Sequence, residues 1–354
     1  MSVRDVLIVG AGPSGLATAI AAKQRGLDYV LVEKGVLVNA IFNFPTHMVF
    51  FTTPELLEIG GLPLVTPYDK PTRLEGLRYY RRVVDTYGLQ ISFHEQVVEI
   101  EREDGVFVVT TDMKRAGLGG SAAQDPPDVR RPGAAERTRH TRVRQARAVV
   151  LAIGYYDHPN HLGVPGEDLP HVSHYYTEAH PYYRQRVVIV GGKNSAAEAA
   201  LELFRSGAHV TLVHRRPTLG DSIKYWVRPD IDNRIKEGSI AAHFDTRVVE
   251  IRPGAVVVER DGGMAEIAAD AVLLLTGYRP DVELMRRAGV MCDTDSLAAE
   301  FDPETFETNV PNLFIAGGAI AGRNTGSIFI ENGRFHGERI VQVLSQRLTQ
   351  DSAS

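Results

Sequence analysis

Three glycines near the amino terminus have the types and spacing that bind a pyrophosphate. Gly10, Gly12 and Gly15 follow the short apolar run VLIV and open an alanine-rich segment with the composition of a helix. In such a unit the first glycine permits a tight turn, the second lets the backbone approach a phosphate, and the third lets helix and strand pack closely. Glu33 stands 18 residues after Gly15, where a carboxylate can accept hydrogen bonds from a ribose. This first glycine turn (residues 10–15) predicts a dinucleotide site.

Residues 187–201 repeat this pattern with one change. Gly191, Lys193 and Ala196 take the places of the three glycines and form a second glycine turn (residues 191–196). A lysine at the middle position crowds the approach of a phosphate to the backbone, but it supplies a positive charge of its own. The repeat therefore predicts a second dinucleotide, which either lies slightly further from the backbone or enters when the domains close.

The two copies also differ at the end of their second strand. His214, Arg215 and Arg216 stand where the first copy has Glu33. The position of the acid thus carries a potentially cationic cluster. A carboxylate there would repel the 2′-phosphate of NADPH, whereas arginines pair with it through charge-assisted hydrogen bonds. The first site is thus predicted to bind FAD, and the second NADPH rather than NADH. Two such sites indicate hydride transfer from a nicotinamide to a flavin.

Each motif requires flanking elements that position it. Both glycine turns lie in a unit of strand, turn, helix and strand, so the predicted fold class is α/β with two Rossmann-like domains. Further buried strands are predicted within 146–154 and 270–281, on either side of the second unit. Residues 312–322 are predicted to form a strand and a glycine-rich turn, and residues 328–348 an amphipathic terminal helix.

Domain organisation follows from this order of elements. The simplest arrangement inserts an NADPH-binding domain, residues 158–283, into an FAD-binding domain made of residues 1–157 and 284–354. Residues 112–147 interrupt the periodic pattern with glycine, proline, alanine and arginine. They are predicted to form a flexible surface insertion without a specific function.

Composition excludes several classes of protein. The net charge of -5 gives no general attraction to nucleic acid. The first residues run directly into a predicted strand, and no apolar run is long enough to span a membrane, so we expect a cytoplasmic protein without a signal peptide. Cys292 is the only cysteine, which excludes an intrachain disulfide and a cysteine zinc site. We expect it to be a partly buried apolar residue, and the sequence predicts no metal site.

The order of motifs resembles that of the thioredoxin-reductase-type flavoproteins. It comprises the first glycine turn, the AIG strand end, the GGKNSA turn, HRR, TGYRPD and TNVPNLFIAGG, and it covers nearly the whole chain except the insertion. A thioredoxin reductase has a C-x-x-C just before its NADPH site. The corresponding positions fall near His174 and Thr177, so the resemblance does not imply an ordinary thioredoxin reductase.

Several stretches are more specifically similar to the bacillithiol disulfide reductases, also called bacilliredoxin reductases. They are IFNFPTHMVFFTTPELLEIGG (41–61), KPTRLEGLRYYRRV (70–83), VSHYYTEAHPYY (172–183), GGKNSAAEAALEL (191–203) and FIENGRFHGERI (329–340). Gly318 also fits that pattern, since thioredoxin reductases usually have there the aspartate that binds the flavin ribityl chain. The family typically has GPCG in its first turn, whereas this chain has GPSG, with Ser14.

The resemblance implies an NADPH-dependent FAD oxidoreductase, expected as a homodimer, that passes electrons to bacillithiol disulfide or to a bacilliredoxin. Without the cysteine, the disulfide would react at the flavin itself, with Ser14, His47 and His174 as candidate catalytic residues and the histidines as proton relays. The candidate cofactor-binding residues are Gly10, Gly12, Pro13, Ser14, Gly15, Glu33, Lys34, Asn43, His47, Gly154, Gly191, Gly192, Lys193, Asn194, Ser195, His214, Arg215, Arg216, Gly277, Gly317, Glu331 and Asn332.

Other functions fit parts of the same sequence. An NADPH–ferredoxin or flavodoxin reductase has the same frame and needs no cysteine. A non-catalytic flavoprotein sensor would also lack both the thiols and the ribityl aspartate. A flavin monooxygenase is disfavoured, because its F-x-G-x-x-x-H motif requires glycine where this chain has Pro170, four residues before His174. Anaerobic bleaching of the flavin by NADPH separates the enzymes from the sensor, and a panel of acceptors separates the enzymes from one another.

Overall fold

The computed structural model describes residues 2–113 and 140–351, which form two compact units. Unit 1 comprises residues 2–113, 140–158 and 278–351, and unit 2 comprises Pro159–Gly277. The second unit thus interrupts the first. The chain returns to unit 1 at Tyr278, earlier than the boundary predicted at residue 283.

The strands of the described chain are β1 (Arg4–Val9), β2 (Tyr29–Val32), β3 (Ile91–Ser92), β4 (Glu95–Glu103), β5 (Val106–Met113), β6 (His140–Leu151), β7 (Val172–Ser173), β8 (Arg186–Val190), β9 (His209–Val213), β10 (Ala241–His243), β11 (Arg247–Arg252), β12 (Ala255–Arg260), β13 (Gly263–Ala268), β14 (Ala271–Leu274) and β15 (Leu313–Ile315). The helices are α1 (Pro13–Gln24), α2 (Asn39–Phe42), α3 (Pro54–Leu57), α4 (Arg73–Tyr87), α5 (Asn194–Arg205), α6 (Arg228–Lys236), α7 (Val282–Arg287), α8 (Ile330–Gly333) and α9 (His336–Asp351), with 3₁₀ turns at His180–Tyr182 and Gly317–Ala321. Within this described part, no helix combines the length and the apolar character needed to cross a bilayer.

Unit 1 is built on a seven-stranded sheet of order β3-β2-β1-β6-β5-β4, in which β15 also pairs with β6. The pairs among β1, β2, β3, β6 and β15 are parallel, whereas β4 and β5 are antiparallel to their neighbours. Val6, Leu7 and Ile8 are fully buried, as is typical of a central parallel strand covered on both faces. The carboxyl ends of β1, β2, β6 and β15 therefore meet at one edge, where open α/β sheets bind their ligands.

Both predicted units of strand, turn, helix and strand are confirmed. In unit 1 they are β1, α1 and β2, and β1 pairs with β2 in parallel. In unit 2 they are β8, α5 and β9, again with a parallel pair. The alanines in each helix, such as Ala19 and Ala197, are fully buried, which lets the helix approach its sheet closely.

The predicted insertion, residues 112–147, includes strand residues at both of its ends. Strand β5 continues to Met113 and β6 begins at His140, and these two residues are paired across the antiparallel ladder. The buried carboxylate of Glu95 accepts hydrogen bonds from Arg144 at 2.6 and 2.8 Å. Arg144, which the sequence places in the predicted insertion, is therefore a residue of β6 with an ion-pair partner. Burial alone would raise the pKa of Glu95, but the hydrogen bonds from Arg144 lead the interactions that lower it to about 2. Residues 114–139 of the predicted insertion lie outside the described residues.

The predicted terminal helix over 328–348 is also corrected, because the structure divides it into α8 and α9. The break lies at Arg334 and Phe335. The guanidinium of Arg334 donates hydrogen bonds to the carbonyls of Glu55 and Glu58 at 2.7 and 2.6 Å. Continuous amphipathic periodicity does not reveal these contacts, since they join residues 279 and 276 positions apart in the chain.

Unit 2 has a five-stranded parallel sheet of order β10-β9-β8-β14-β7. Its core on one side is formed by the buried face of α5, including Leu201 and Leu203. Strands β11, β12 and β13 form a separate three-stranded antiparallel sheet, which the sequence analysis did not predict. Val256 and Val258 of β12 pack with Val188 and Leu274 of the parallel sheet, so the small sheet covers its other face.

Candidate functional site

The first glycine turn has the geometry that its three glycines predict. Gly10 has φ of +102° and a Cβ there would collide with the Ala152 carbonyl, so the tight turn requires glycine. A Cβ on Gly15 would collide with the Gly10 carbonyl, so helix and strand touch. A Cβ on Gly12 would meet no atom within 4 Å, and the protein itself therefore does not require glycine at this position. Gly12 precedes Pro13 at the start of α1 with no side chain capping the helix, which leaves its first N–H groups for an anion.

Glu33, which directly follows β2, is hydrogen-bonded to the backbone of the first glycine turn. Its carboxylate is buried and accepts the backbone N–H groups of Ala11 and Gly35, both at 2.8 Å. Burial raises the pKa of Glu33, although both amide hydrogen bonds lower it. Each carboxylate oxygen keeps a second lone pair, so a ribose hydroxyl can still bind. Glu33 thus has a role that spacing did not reveal, which is to hold the backbone of the turn.

Three chain segments converge at Ser14 in unit 1. A Cβ on Gly317 would collide with the Ser14 hydroxyl, and a Cβ on Gly333 would lie 3.3 Å from the same oxygen. Gly317 has φ of +67°, and its N–H donates to Nδ1 of the buried His336 at 3.2 Å. The start of α1, the 3₁₀ turn and the end of α8 therefore meet at the Ser14 side chain. His336 was not predicted from the sequence, because no spacing rule links it to Gly317.

Protonation of His336 is expected to destabilise unit 1. Burial lowers the pKa of His336 to about 4, below the value of about 6.5 for an unfolded histidine. The native state then binds fewer protons than the unfolded state, so this contribution is fully present above pH 6.5 and is lost as the pH falls toward 4. We expect the wild type to lose up to about 3 kcal/mol more unfolding free energy over this window than His336→Asn, which keeps an acceptor. Urea unfolding at several pH values measures this difference. An equal loss in both proteins would contradict the assignment, and His209→Asn, at an exposed histidine, is the control.

A cluster of tyrosines borders the same edge of the sheet. The ring of Tyr155 packs over Gly318, because a Cβ there would lie 2.7 and 2.8 Å from two ring atoms. An aspartate at position 318 is therefore incompatible with this position of Tyr155. The hydroxyl of Tyr156 donates to the Asn43 carbonyl at 3.2 Å, and its ring lies 4.6 Å from that of Tyr278. These tyrosines were not predicted, although the GYY after β6 was a visible signal.

The other unit 1 candidates differ in their surroundings. Lys34 forms an ion pair with Asp157 at 2.9 Å, so its charge is already partnered. His47 is exposed, and Glu331 is half-buried. The Asn332 side chain accepts a backbone N–H at the start of α8 at 2.8 Å, which makes it a helix cap.

Three further candidate glycines are explained by a positive φ or by close packing of the backbone. Gly154, which follows β6, has φ of +61°. In unit 2, Gly277 has φ of +90°. A Cβ on Gly191 would lie 2.6 Å from the Leu275 carbonyl, which is the same close approach that Gly10 makes in the first turn.

His214 belongs to the potentially cationic cluster at the end of β9, but its surroundings disfavour its protonation. Its ring covers the backbone of Gly192, because a Cβ on Gly192 would collide with the imidazole. Burial lowers the pKa of His214, and repulsion by Arg216 and Arg215 lowers it further. His214 is therefore neutral near pH 7 and shapes the turn, so the positive charge of this cluster comes from the two arginines.

Exposed cations lie at the start of α5 and just after the end of β9. Lys193 occupies the N-cap position in an extended conformation and is exposed, as are Arg215 and Arg216. Among the described residues, none of the three has an acidic side chain in ion-pair contact. Ser195 is also exposed, whereas Asn194 accepts the N–H of the Lys224 backbone at 2.9 Å. Three cations beside an uncapped helix start can bind a phosphate.

Comparison with known proteins decides the family. The family model described as pyridine nucleotide-disulphide oxidoreductase matches residues 7–116 and 137–317. The bacilliredoxin reductase of Bacillus subtilis (strain 168) is 40% identical over 98% of this chain and 99% of its own. The chain belongs to the bacilliredoxin reductase family. It is therefore an oxidoreductase, and a flavin and a pyridine nucleotide are the cofactors that this family membership implies.

Solved structures of the bacilliredoxin reductase family have the same fold. The bacillithiol disulfide reductase from Bacillus cereus is 38% identical, with a TM-score of 0.89 over 98% of this chain and 100% of that one. The enzyme from Staphylococcus aureus is 37% identical, with a TM-score of 0.86 over 98% and 99%. Thioredoxin reductase from Lactococcus lactis, at 20% identity and a TM-score of 0.72 over 98% and 99%, shares the fold.

Cys292 of this bacilliredoxin reductase family member is a packing residue, as predicted. It is half-buried, contacts the Val290 carbonyl at 3.8 Å through Sγ, and packs against the apolar cluster of unit 1. Burial raises the pKa of its thiol, which disfavours the reactive thiolate. No thiol of the described residues borders the first glycine turn, since Ser14 carries a hydroxyl.

His174 lies in unit 2, whereas His47 lies in unit 1. Nε2 of His174 is 3.4 Å from the Glu167 carboxylate. Burial lowers the pKa of His174, and the neighbouring His161 lowers it further. The ring is therefore largely neutral near pH 7, and it lies beside the Glu167 carboxylate rather than beside a glycine turn.

Proposed function

We propose that this protein is an NADPH-dependent FAD oxidoreductase that reduces bacillithiol disulfide or an oxidised bacilliredoxin. The observation that carries the proposal is the pair of glycine turns in a chain 40% identical to a bacilliredoxin reductase. The strand after the first turn ends at the acidic Glu33, whereas the strand after the second ends at the basic Arg215 and Arg216. On this proposal, unit 1 binds FAD and unit 2 binds NADPH. A homodimer is also proposed from the resemblance, and light scattering of the purified protein tests it.

The first glycine turn supports FAD as the flavin. Gly12 leaves open space beside an uncapped helix start, which suits a pyrophosphate. Glu33 retains lone pairs for a ribose hydroxyl while it fixes the turn. Because Tyr155 covers Gly318, we propose that this ring borders the flavin where related enzymes have an aspartate.

The second glycine turn supports NADPH as the reductant. Arg215 and Arg216 are exposed cations at the end of β9, the position at which a 2′-phosphate is recognised. Lys193 stands where a glycine normally admits the pyrophosphate. Its extended backbone needs no positive φ, so its side chain can add a phosphate contact without straining the turn.

The bound flavin and nicotinamide supply the two-electron chemistry. The residues of this chain bind both groups, orient them and supply protons. We propose Ser14 as a hydrogen-bonding group beside the flavin, and the exposed His47 as a proton donor to the departing thiolate. Because Ser14 cannot form a mixed disulfide, and the half-buried Cys292 packs against the apolar cluster with a raised thiol pKa, the substrate disulfide would be reduced without a covalent bond to the protein.

Replacing Ser14 by cysteine tests the role of a protein thiol. The N–H groups at the start of α1 would stabilise a thiolate there, and the facing residues Gly317 and Gly333 carry no side chain that would collide with it. We expect Ser14→Cys to reduce bacillithiol disulfide roughly tenfold faster, with unchanged flavin reduction by NADPH. Anaerobic NADPH consumption with bacillithiol disulfide, oxidised bacilliredoxin, ferredoxin and flavodoxin measures this gain together with the acceptor preference of the wild type.

Cys292→Ser is the matched control and should leave every rate unchanged. Wild-type disulfide reduction that disappears in Cys292→Ser would instead make Cys292 the redox thiol. A wild type whose flavin is not bleached by NADPH under anaerobic conditions would contradict the enzyme proposal and favour a sensor.

Ferredoxin or flavodoxin reduction is the second candidate function. The absence of a thiol beside the first glycine turn favours it, since one-electron carriers need none. A ferredoxin–NADP reductase from Ignicoccus hospitalis is 25% identical over 89% of this chain and 90% of its own. Faster NADPH consumption with ferredoxin or flavodoxin than with either disulfide would establish this alternative.

A further inference from the structure

Two imidazoles in unit 2 converge on one carboxylate oxygen outside both glycine turns. Nδ1 of His161 lies 3.3 Å from Oε1 of Glu167, and Nε2 of His174 lies 3.4 Å from the same atom. The three ligand atoms all lie within 4.8 Å of one another. We propose that His161, Glu167 and His174 bind a divalent metal ion of the zinc type. This proposal is independent of the proposed function.

The carboxylate is held in place before any ion binds. Oε1 of Glu167 accepts the N–H of Leu162 at 2.8 Å, and Oε2 accepts that of Gly163 at 2.7 Å. A carboxylate oxygen offers about two lone-pair directions, and Leu162 already uses one on Oε1. The remaining direction cannot accept good hydrogen bonds from both imidazoles, whereas a single cation there can be shared by all three side chains.

The separations match a tetrahedral ion better than hydrogen bonds. A charge-assisted hydrogen bond between nitrogen and oxygen spans about 2.7–2.9 Å. Two ligands on a tetrahedral zinc ion with bonds of 2.0–2.1 Å lie about 3.4 Å apart. Both distances from Glu167 Oε1, 3.3 and 3.4 Å, have this length. Two imidazole nitrogens and one carboxylate oxygen also form a ligand set that zinc uses in proteins.

One side of the cluster is open to solvent. The side chain of Glu167 is 6% exposed and that of His174 is 13% exposed, but that of His161 is 58% exposed. His161 can therefore rotate until its nitrogen and that of His174 are as close as two ligands of one tetrahedral ion, and water can supply the fourth ligand. Three protein ligands with an open position are typical of non-structural zinc sites.

The local fold explains why residues far apart in the loop meet. Gly166 has φ of +83° and its Cα faces the Ile251 carbonyl, so the chain turns tightly just before Glu167. Strand β7 then leads directly to His174. A bound ion would link this loop to the end of β7, and His174 could not act as a proton relay while it holds the ion.

Cobalt titration of the full-length flavoprotein tests the site. After chelator treatment, Co²⁺ is added and absorbance is read on the red side of the flavin bands. We expect one Co²⁺ per chain with the intense spectrum of a tetrahedral ion, which Zn²⁺ displaces. Mutation of a residue that only supports a metal ligand typically weakens metal binding about 10–100-fold. Because His161 is a proposed ligand, His161→Gln is expected to weaken Co²⁺ binding by about tenfold or more.

His209→Gln is the matched control, because His209 is an exposed histidine of the same unit and should leave Co²⁺ binding unchanged. His174→Gln should abolish the tetrahedral spectrum. If that buried variant does not fold, the exposed His161→Gln still decides, with bound flavin as the measure of integrity. An octahedral spectrum, no binding, or equal binding in wild type and His161→Gln would overturn the proposal and leave the histidines as hydrogen-bond partners of Glu167.

Discussion

Gly12→Val is expected to yield a folded protein that has lost its flavin. The backbone at Gly12 has φ of −75° and ψ of 178°, a conformation that valine adopts readily, and no protein atom lies within 4 Å of a Cβ there. The stability cost is that of a poor N-cap residue, about 1 kcal/mol. A pyrophosphate that approaches the backbone would meet the new side chain directly. Flavin absorbance per chain after purification measures the loss, and circular dichroism measures the fold.

Two other glycine variants separate binding from folding. Gly15→Ala places its Cβ against the Gly10 carbonyl, so we expect loss of folded protein and not of flavin alone. Gly263→Val, in an exposed strand of unit 2, should keep both fold and flavin. Full flavin occupancy in Gly12→Val would show that the first glycine turn does not bind the pyrophosphate.

The double variant Arg215→Ala, Arg216→Ala is expected to use NADPH and NADH almost equally. Each guanidinium can form charge-assisted hydrogen bonds worth roughly 1.5–3 kcal/mol with a phosphate. Both side chains are exposed, so we take the lower value, which corresponds to about tenfold for each and about a hundredfold for the pair. The loss should appear in kcat/KM for NADPH, whereas kcat/KM for NADH should change little.

Arg247→Ala is the matched control for charge, because it removes an exposed arginine elsewhere in unit 2. It should preserve the preference for NADPH. High salt should narrow the preference in the wild type but not in the double variant, since exposed charges are screened. A wild type that already uses both nucleotides equally would contradict the assignment of Arg215 and Arg216.

The sequence by itself determined the two units of strand, turn, helix and strand. Short apolar runs, glycine positions and helix composition are local signals, and they depend on backbone geometry that neighbouring residues specify. The roles predicted for Gly10 and Gly15 are found in the structure as close approaches that exclude a Cβ. The family resemblance was likewise available from the sequence, because its motifs are contiguous stretches.

Composition was a weaker guide where a partner lay elsewhere in the chain. Arg144 resembles its arginine-rich neighbours in sequence, yet it pairs with the buried Glu95, 49 residues earlier. His214 stands next to two arginines in a potentially cationic cluster, but its burial over Gly192 and their repulsion lower its pKa. In both cases burial, which the local sequence does not encode, decided the charge environment.

Only the tertiary structure decided which distant residues meet. Tyr155 covers Gly318, and His336 accepts the N–H of Gly317, because the ends of β6 and β15 lie side by side in one sheet. His161 and His174 reach the same carboxylate oxygen because a tight turn folds the chain back before β7. These contacts depend on strand register and loop closure, which single-sequence periodicity leaves undetermined.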